Sequence, residues 1–414
     1  MERLISIFGL LCMIAIAFGL STDRSKINWR TVISGIVIQM LLGLIILKTD
    51  LGMNVAAGAK DFFKGILNFT NEGSWFLFGK LADFPAMASI ADPSKRGPFV
   101  FAFMVLPTII FMSSLMSVLY HVGAMQVIVK TTAWIMMKVM RTSGAESLSA
   151  AANIFVGQTE APLVVKPFID KMTKSELMAL MTGGMATVAG GVLAAYVGFG
   201  IDAGHLLVAS FMSAPAALVC AKLMVPEIEE STTAGTVKLE MPKTSVNVVE
   251  AAATGAAEGL KLALNVGAML LAFVALIALL NGGIAAVGGW FGYPQLSMDI
   301  ILGYLFAPFA FVMGVPWSEA VLVGALLGKK VVVNEFIAYI DLAAIKSQLS
   351  PRSITITTYA LCGFANFSSI AIQIGGIGTL APDRKTDLAK LGVKCLIGGT
   401  LACFMTACIA GFLL

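Results

Sequence analysis

Eight stretches of mainly apolar residues divide this chain, and each is about as long as a helix that crosses a lipid bilayer. A spanning helix needs roughly 20 such residues, and it satisfies its own backbone hydrogen bonds where water is absent. The predicted spans are 4–20, 31–48, 98–119, 175–198, 204–225, 259–284, 353–377 and 388–413. The chain is therefore predicted to be an all-α, polytopic membrane protein with eight transmembrane helices.

The composition supports this class and excludes others. Of the 414 residues, 58% are hydrophobic and 13% are charged, whereas soluble domains are about 45–50% apolar and about 25% charged. The net charge of +4 indicates no nucleic-acid partner. All six cysteines lie in apolar runs without paired spacing, so we expect neither a disulfide framework nor a zinc site.

Three segments outside the predicted spans are amphipathic or polar. The amphipathic stretches 56–69 and 125–140 are predicted to lie along the membrane interface. In the second, Lys130, Lys138 and Arg141 fall on one helical stripe that suits lipid headgroups. The most polar stretch, 226–250, is predicted to be an exposed and disordered part of a polar cytoplasmic loop, 226–258.

Basic residues flank the spans unevenly. The first loop, 21–30, carries Arg24, Lys26 and Arg30, and the last loop, 382–394, carries four more cations. Because cytoplasmic loops hold an excess of Lys and Arg, both loops are predicted to be cytoplasmic and both termini external. Four cations oppose this orientation: Lys329, Lys330, Lys346 and Arg352.

Two segments are apolar but broken by polar residues. In 143–168, two short apolar arms flank GQTEAP, where Gly157 ends one arm, Thr159 or Glu160 can cap the next, and Pro162 suits its first turn. Arms this short cannot cross about 30 Å of hydrocarbon. We therefore predict a re-entrant helical hairpin, the first hairpin, whose tip is buried in protein or lines a wet cavity.

A second segment repeats the pattern. In 319–340, the second hairpin, two short arms flank Asn334 and Glu335, with Asn334 available as a cap. Each hairpin precedes a span with a glycine-broken middle, 181–198 after the first and 361–380 after the second. Such duplication, with interrupted helices at matching places, indicates an inverted repeat around the midplane site of a secondary transporter.

Two carboxylates, Glu160 and Glu335, occupy equivalent places in the repeats. Intramembrane acids are expensive and mark functional sites. With neighbouring amides, hydroxyls and aromatic rings, they fit a neutral, polyhydroxylated, partly aromatic solute. Asn153 and Thr187, together with carbonyls freed at a broken helix, suit sodium; a proton-coupled transporter would instead titrate Glu160 or Glu335.

At these motifs the sequence resembles the concentrative nucleoside transporter family. The resemblance covers nearly the whole chain and rests on ESLSAAANIFVGQTEAPLVVKPF, GGVLAAY, GVPWSEA, VNEFIAY and ALCGFANFSSIAI. It is closest to compact bacterial, sodium-coupled members; proton-coupled members resemble GQSEN where this chain has GQTEAP. It implies a nucleoside symporter in the plasma membrane of a bacterium, working as an elevator and assembled as a homotrimer.

The resemblance also implies a division of the chain. Residues 1–142 would hold scaffold helices 1–3, 143–225 the first transport repeat, and 226–258 the polar loop. Residues 259–314 would hold scaffold helix 6 with an interfacial segment, and 315–414 the second transport repeat.

Site residues follow by motif match to that family. The predicted base set is Gln158, Thr159, Glu160 and Val192. The predicted ribose set is Glu335, Phe364, Asn366 and Ser369. The predicted sodium set is Asn153, Val156, Thr187 and Val188, where Thr187 replaces a common Ser and keeps its hydroxyl. No cofactor is expected besides sodium as the coupling ion.

Other functions remain open from the sequence alone. A proton-driven nucleoside symporter would share this layout. An intramembrane enzyme would require a reactive cluster, and no His, Cys or Asp cluster lies near the hairpins. A passive channel would not accumulate substrate against its gradient.

Overall fold

A computed structural model describes residues 2–82, 100–234 and 245–414, and their secondary structure is entirely helical. The α-helices are Glu2–Gly19, Trp29–Lys48, Asp50–Phe78, Phe101–Met104, Leu106–His121, Ala124–Met140, Gly144–Asn153, Ala161–Val164, Lys166–Ile169, Lys174–Ala186, Gly190–Gly198, Ala203–Met224, Val248–Trp290, Met298–Val312, Trp317–Val332, Glu335–Ile345, Pro351–Leu361, Phe367–Leu380 and Lys385–Leu413. Short 3-10 helices lie at Arg24–Lys26, Gly79–Ala82, Lys346–Gln348 and Pro382–Arg384. The predicted all-α class is confirmed.

Seven helical segments of the described chain are long and apolar enough to cross a membrane. They are Glu2–Gly19, Trp29–Lys48, Phe101–His121, Lys174–Gly198, Ala203–Met224, Val248–Trp290 and Pro382–Leu413, and they match seven of the eight predicted spans. The remaining one, 353–377, falls on two shorter helices, Pro351–Leu361 and Phe367–Leu380. A different pair, Met298–Val312 and Trp317–Val332, passes the same test together but bends by 117°. The count of eight therefore stays a prediction.

Two helices, called here the self-packed pair, pack mainly against each other. Leu106–His121 and Val248–Trp290 approach closely because small residues face the contact: a Cβ at Gly255 would lie 2.7 Å from the Ser113 carbonyl oxygen. The Ser114 hydroxyl donates to the Ala252 carbonyl at 2.9 Å across the same contact. Along Val248–Trp290 most of the apolar surface faces away from the described protein.

The first two helices pack elsewhere than on that pair. Glu2–Gly19 lies along Lys385–Leu413, and Trp29–Lys48 lies along Ala203–Met224. At Gly43, a Cβ would be 2.9 Å from the Leu413 Cδ1 atom. The predicted division into scaffold and transport segments is not tested by these contacts, but they group the first two helices with the segments assigned to transport.

The prediction of a polar loop over 226–258 is wrong for its C-terminal part. Residues from Val248 onward are helical, since the Asn247 side chain caps the helix by accepting from Glu250 N at 2.9 Å and the following run is rich in Ala. The predicted disorder is also wrong for 226–234, where the Thr233 carbonyl accepts from Gly144 N at 3.0 Å. Residues 235–244 lie outside the described chain.

Both basic loops lie at one end of the molecule. Thr22 N of the first loop donates to the Met224 carbonyl at 3.0 Å, and the adjacent Val225 carbonyl accepts from the Ser175 hydroxyl at 2.7 Å. Arg384 of the last loop donates to three carbonyls just before Ser175, at the end of the first hairpin. The shared placement agrees with a common side for the two loops.

The four cations that oppose the predicted orientation each have a partner in the described protein, although Lys346 is exposed. Lys329 pairs with Asp341 and, at 2.8 Å, with Asp299. Lys330 is fully buried and donates to the Ala360 carbonyl at 2.7 Å, and Lys346 donates to a carbonyl at 3.3 Å. The fourth, Arg352, pairs with a glutamate at 3.2 Å and bonds two carbonyls. Their charges are therefore satisfied locally and say little about which side faces the cytoplasm.

Candidate functional site

The segment predicted as the first hairpin contains a helix, a turn and two short helical pieces. Its first arm, Gly144–Asn153, starts with a capping box made by Ser143 and Glu146. The second arm begins at Ala161 with Pro162 in the first turn, as predicted. Glu160 is the residue before that arm, but its carboxylate accepts from Gly157 N at 3.2 Å and so closes the turn instead of capping the helix.

The second hairpin has the break that the sequence predicts. Trp317–Val332 ends just before Asn334, and Glu335–Ile345 begins just after it. The Asn334 side chain accepts from Ile337 N at 3.0 Å, which confirms the predicted cap. Glu335 is thereby placed at the first position of the second arm, where only 3% of its surface is exposed.

The two broken helices meet at their breaks. The first break separates Lys174–Ala186 from Gly190–Gly198, and the second separates Pro351–Leu361 from Phe367–Leu380. Phe364 N donates to the Thr187 carbonyl at 3.2 Å, which joins one break to the other. Gly190 N donates to the Phe155 carbonyl at 2.9 Å, which joins the first break to the hairpin tip. These bonds use backbone groups that an interrupted helix leaves free.

The predicted ribose set is brought together around Glu335. Its carboxylate accepts from Asn366 Nδ2 at 3.1 Å and from the Tyr196 hydroxyl at 2.9 Å. The Asn366 side-chain oxygen accepts from Ser369 N at 2.9 Å and so caps Phe367–Leu380. Phe364 lies half-buried at the same break. A carboxylate held by two donors in this way presents remaining lone pairs in a fixed direction.

Part of the predicted base set joins the ribose set. Gln158 Nε2 donates to the Ser369 hydroxyl at 3.0 Å, and Gln373 Nε2 donates to Gln158 Oε1 at 3.0 Å. Gly184 makes room for both amides, because a Cβ there would lie 2.9 Å from Gln158 Cβ and 2.8 Å from Gln373 Nε2. Thr159 approaches Gly376, whose added Cβ would be 3.6 Å from its methyl carbon.

The other two members of the base set lie apart from this network. Val192 is buried in Gly190–Gly198. Glu160 is exposed and lines a cavity of about 250 Å³, together with Tyr120 of Leu106–His121 and Glu258 of Val248–Trp290. This cavity separates the first hairpin from the self-packed helix pair, so Glu160 faces an approach to the network instead of its centre.

The predicted sodium set surrounds an unsatisfied amide. Asn153 is 1% exposed, and neither its Oδ1 nor its Nδ2 has a hydrogen-bond partner among the described residues. Its side chain lies against Gly183, whose added Cβ would be 3.1 Å from Nδ2, and the Gly183 carbonyl accepts from the Thr187 hydroxyl at 2.9 Å. Val156 and Val188 are buried at the adjoining hairpin tip and break. Amide, hydroxyl and helix-end carbonyl oxygens are the donors that sodium prefers in broken-helix sites, so the residues present fit this ion.

Three residues of the site were missed by sequence reasoning. Tyr196 ends the GGVLAAY motif but was given no role, and Gln373 links Gln158 to the Met181 carbonyl at 3.0 Å. The third is Lys330, which is fully buried on the first arm of the second hairpin and donates to the Ala360 carbonyl at 2.7 Å. The available signal was a lone polar group in an apolar run, as in AIQIGG for Gln373.

Comparisons with known families cover nearly the whole chain. Residues 8–81 match the family model described as Na+ dependent nucleoside transporter N-terminus, and residues 205–411 match its C-terminus. Residues 102–203 match a model described as nucleoside recognition.

Similar full-length proteins come from bacteria and animals. An uncharacterized transporter of Haemophilus influenzae is 48% identical over 99% of this chain and 98% of its own length. The nucleoside permease NupC of Helicobacter pylori is 44% identical over 99% of this chain and 97% of its own. The sodium/nucleoside cotransporter 1 of Mus musculus is 41% identical over all of this chain and 64% of its own.

A solved structure of CNTnw in an inward-facing substrate-bound state superposes with a TM-score of 0.94 at 48% identity, over 100% of this chain and 98% of that one. Variants of the same protein in outward-facing and intermediate states match with TM-scores of 0.93 to 0.94.

Proposed function

Since the chain belongs to the family of Na+-dependent, concentrative nucleoside transporters, we propose that it imports nucleosides across a bacterial plasma membrane in symport with sodium. Its relatives are transporters and not enzymes. The observation that carries the proposal is one hydrogen-bonded network that runs from Gln158 through Ser369 and Asn366 to Glu335. It joins the tips of both hairpins to the second broken helix.

In this proposal the ribose binds at the Glu335 end of the network. The carboxylate accepts hydrogen bonds from ribose hydroxyls, while Asn366 and Ser369 keep its orientation and offer further polar groups. Phe364 packs on the sugar face. A deoxy analogue leaves a buried acceptor unpaired, which costs about 1–3 kcal/mol, so the ribose set supplies selectivity for intact hydroxyls.

The nucleobase binds at the Gln158 end. Gln158 offers both a donor and an acceptor, which matches the mixed edge of a base, and Thr159, Glu160 and Val192 complete the predicted base set. Nucleotides are excluded because Glu335 repels a phosphate and the nearby Lys330 already donates to the Ala360 carbonyl. The proposed substrates are uridine-like pyrimidine nucleosides and also purine nucleosides, and competition with uridine would rank them.

Sodium binds in the proposal at Asn153 and Thr187 through side chains, and at Val156, Thr187 and Val188 through carbonyls. Coupling follows from position, because the Thr187 carbonyl also accepts from Phe364 N in the ribose set. An ion that fixes Thr187 favours the nucleoside-binding arrangement of Phe364, and by linkage the nucleoside favours the ion equally. One sodium crossing 100 mV yields about 2.3 kcal/mol, which sustains roughly fifty-fold accumulation.

Alternating access is proposed as an elevator motion of the hairpins and broken helices past the pair Leu106–His121 and Val248–Trp290. The cavity of about 250 Å³ lies on this boundary. The exposed apolar face of Val248–Trp290 suits lipid or neighbouring subunits, in keeping with a proposed homotrimer. Both termini are proposed to be external; Arg3 donates to the Leu414 carbonyl at 2.6 Å, so they share one end of the protein.

Uptake into proteoliposomes tests the function. Purified protein should accumulate radiolabelled uridine when sodium is high outside and the pH is equal on both sides, and a panel of unlabelled nucleosides should compete. A potassium gradient of the same size is the ionic control. Uptake driven by a proton gradient without sodium would replace sodium symport with the proton-coupled alternative, and equilibration without accumulation would indicate a passive channel.

A further inference from the structure

The helix Ala124–Met140 has one face that packs on the protein. Its buried side chains are Met125, Val129, Ala133, Met136 and Met140, which recur every three or four residues along one side. Most of its other side chains are exposed and face away from the described protein. The chemical character of these exposed side chains therefore indicates what surrounds the helix on that side.

The outward surface is divided into an apolar flank and a basic stripe. Ile128, Ile135 and Val139 form the apolar flank and are each more than two-fifths exposed. Lys130, Lys138 and Arg141 form the basic stripe, and all three are exposed. A helix with protein, acyl chains and headgroups on three successive sides has this pattern.

Trp134 lies between the two lysines of the stripe. Trp134 is 55% exposed, and Lys138 Nζ lies 5.7 Å from the centroid of its ring. Tryptophan is enriched at the level of lipid headgroups, where an apolar ring and a polar edge are both satisfied. The aromatic ring thus places the stripe at headgroup depth.

A groove runs beside the stripe and reaches the first hairpin. It has a volume of about 400 Å³ and is lined by Lys130, Trp134 and Met137 of the helix and by Gly144 and Ser147 of the hairpin arm. A group held by Lys130 in this groove would touch the base of the first hairpin directly.

The stripe lacks internal counter-charges. Ala124–Met140 contains no Asp or Glu, and among residues 2–82, 100–234 and 245–414 no carboxylate is within ion-pair distance of its three cations. The other amphipathic helix, Asp50–Phe78, instead carries three acids with its two lysines. Charge complementarity therefore singles out Ala124–Met140 as the anion-binding helix.

The end of this helix lies with the basic loops. The Thr31 hydroxyl, just after the first loop, donates to the Met140 carbonyl at 2.9 Å. Those loops are predicted to be cytoplasmic, and the cytoplasmic leaflet is the one that carries anionic lipids. The stripe is thus on the side of the membrane where its counter-ions are found.

We propose that the groove between Ala124–Met140 and the first hairpin binds the phosphate headgroup of an anionic phospholipid. Lys130, Lys138 and Arg141 hold the headgroup, Trp134 sits at the glycerol level, and the acyl chains lie along Ile128, Ile135 and Val139. The inference does not depend on which solute or ion the protein carries.

Lipid retention by native mass spectrometry tests this site directly. Protein released from bilayers with phosphatidylcholine and a quarter phosphatidylglycerol should keep bound phosphatidylglycerol. Each basic residue near an anionic surface contributes about 1 kcal/mol, or roughly five-fold in affinity. The double variant K130A/K138A should therefore retain phosphatidylglycerol about 25-fold more weakly.

Three controls accompany this test. K64A removes an exposed lysine from the acid-containing helix Asp50–Phe78 and should change retention by less than two-fold, while K130R/K138R should restore it. Unfolding in pure phosphatidylcholine should be the same for all variants. Equal retention by K130A/K138A and the parent, an equal loss in K64A, or displacement of the lipid by inorganic phosphate would each overturn the proposal.

Discussion

Replacing Glu335 by glutamine changes one atom of the proposed ribose site without changing its size. Both carboxylate oxygens accept hydrogen bonds, from Asn366 and from Tyr196. A glutamine can turn its oxygen to Asn366 and donate its NH2 group to the Tyr196 hydroxyl, but it loses the negative charge and the lone pairs that would accept from ribose. Hydrogen bonds to charged groups contribute about 1.5–3 kcal/mol, which corresponds to about ten- to 150-fold in affinity.

The assay compares uridine with its 2′-deoxy and 3′-deoxy analogues. Binding is measured by isothermal titration at saturating sodium on the parent protein and on Glu335→Gln. The loss caused by the substitution should be at least ten-fold for uridine and clearly smaller for the analogue that lacks the hydroxyl facing Glu335. The same loss for all three ligands would refute the assignment of Glu335 to ribose.

Tyr196→Phe serves as the control for structural damage. It removes one donor to Glu335 but keeps the ring, which packs 4.4 Å from Tyr339 and 5.0 Å from Phe336 between centroids. We expect a smaller loss of uridine affinity than with Glu335→Gln, because the charge is kept. A larger loss would indicate that the Tyr196 hydroxyl, and not the charge of Glu335, dominates the site.

Three further predictions concern the ion, the packing and the stability of the site. Asn153→Ala should raise the sodium concentration for half-maximal uptake by ten-fold or more while leaving uptake at saturating sodium measurable; an unchanged sodium curve would remove Asn153 from the ion site. Gly184→Ala pushes a methyl group into the two site amides and should weaken uridine binding by about 1–3 kcal/mol, whereas Gly282→Ala, with no atom within 4 Å, should be neutral; equal effects would contradict the packing argument. Lys222→Met leaves the buried Glu146, now 2.6 Å from the ammonium, without its partner and should cost about 3–5 kcal/mol of stability; an unchanged melting temperature by fluorescence would be the contrary result.

Local chemistry made the breaks in the helices predictable. Gly157, Pro162 and Asn334 act on their own turn or the next one, so a single sequence contains the information that ends one arm and starts another. The cap at Asn334 is confirmed, and the pairing of Asn366 with Glu335 follows from two motifs that already suggested a shared site.

Long-range packing was the part that the sequence left undetermined. The early start of Val248–Trp290 depends on a cap at Asn247 whose polar surroundings resemble a loop. Gln373 and Tyr196 enter the site only because helices far apart in the chain converge there, and no local pattern distinguishes them from other polar groups in apolar runs. The placement of the first two helices likewise depends on glycines whose partners are distant in sequence.

If sodium binds at the buried amide of Asn153 as proposed, the ion becomes a part of the folded core. A buried Oδ1 atom without a partner costs about 1–3 kcal/mol, and a sodium ion ligated by this oxygen would return that free energy to the native state alone. Sodium should then act as a folding ligand, raising the melting temperature with the logarithm of its concentration above the dissociation constant. Thermal stability in sodium against potassium would report ion binding in detergent, without a membrane, a gradient or any transported solute.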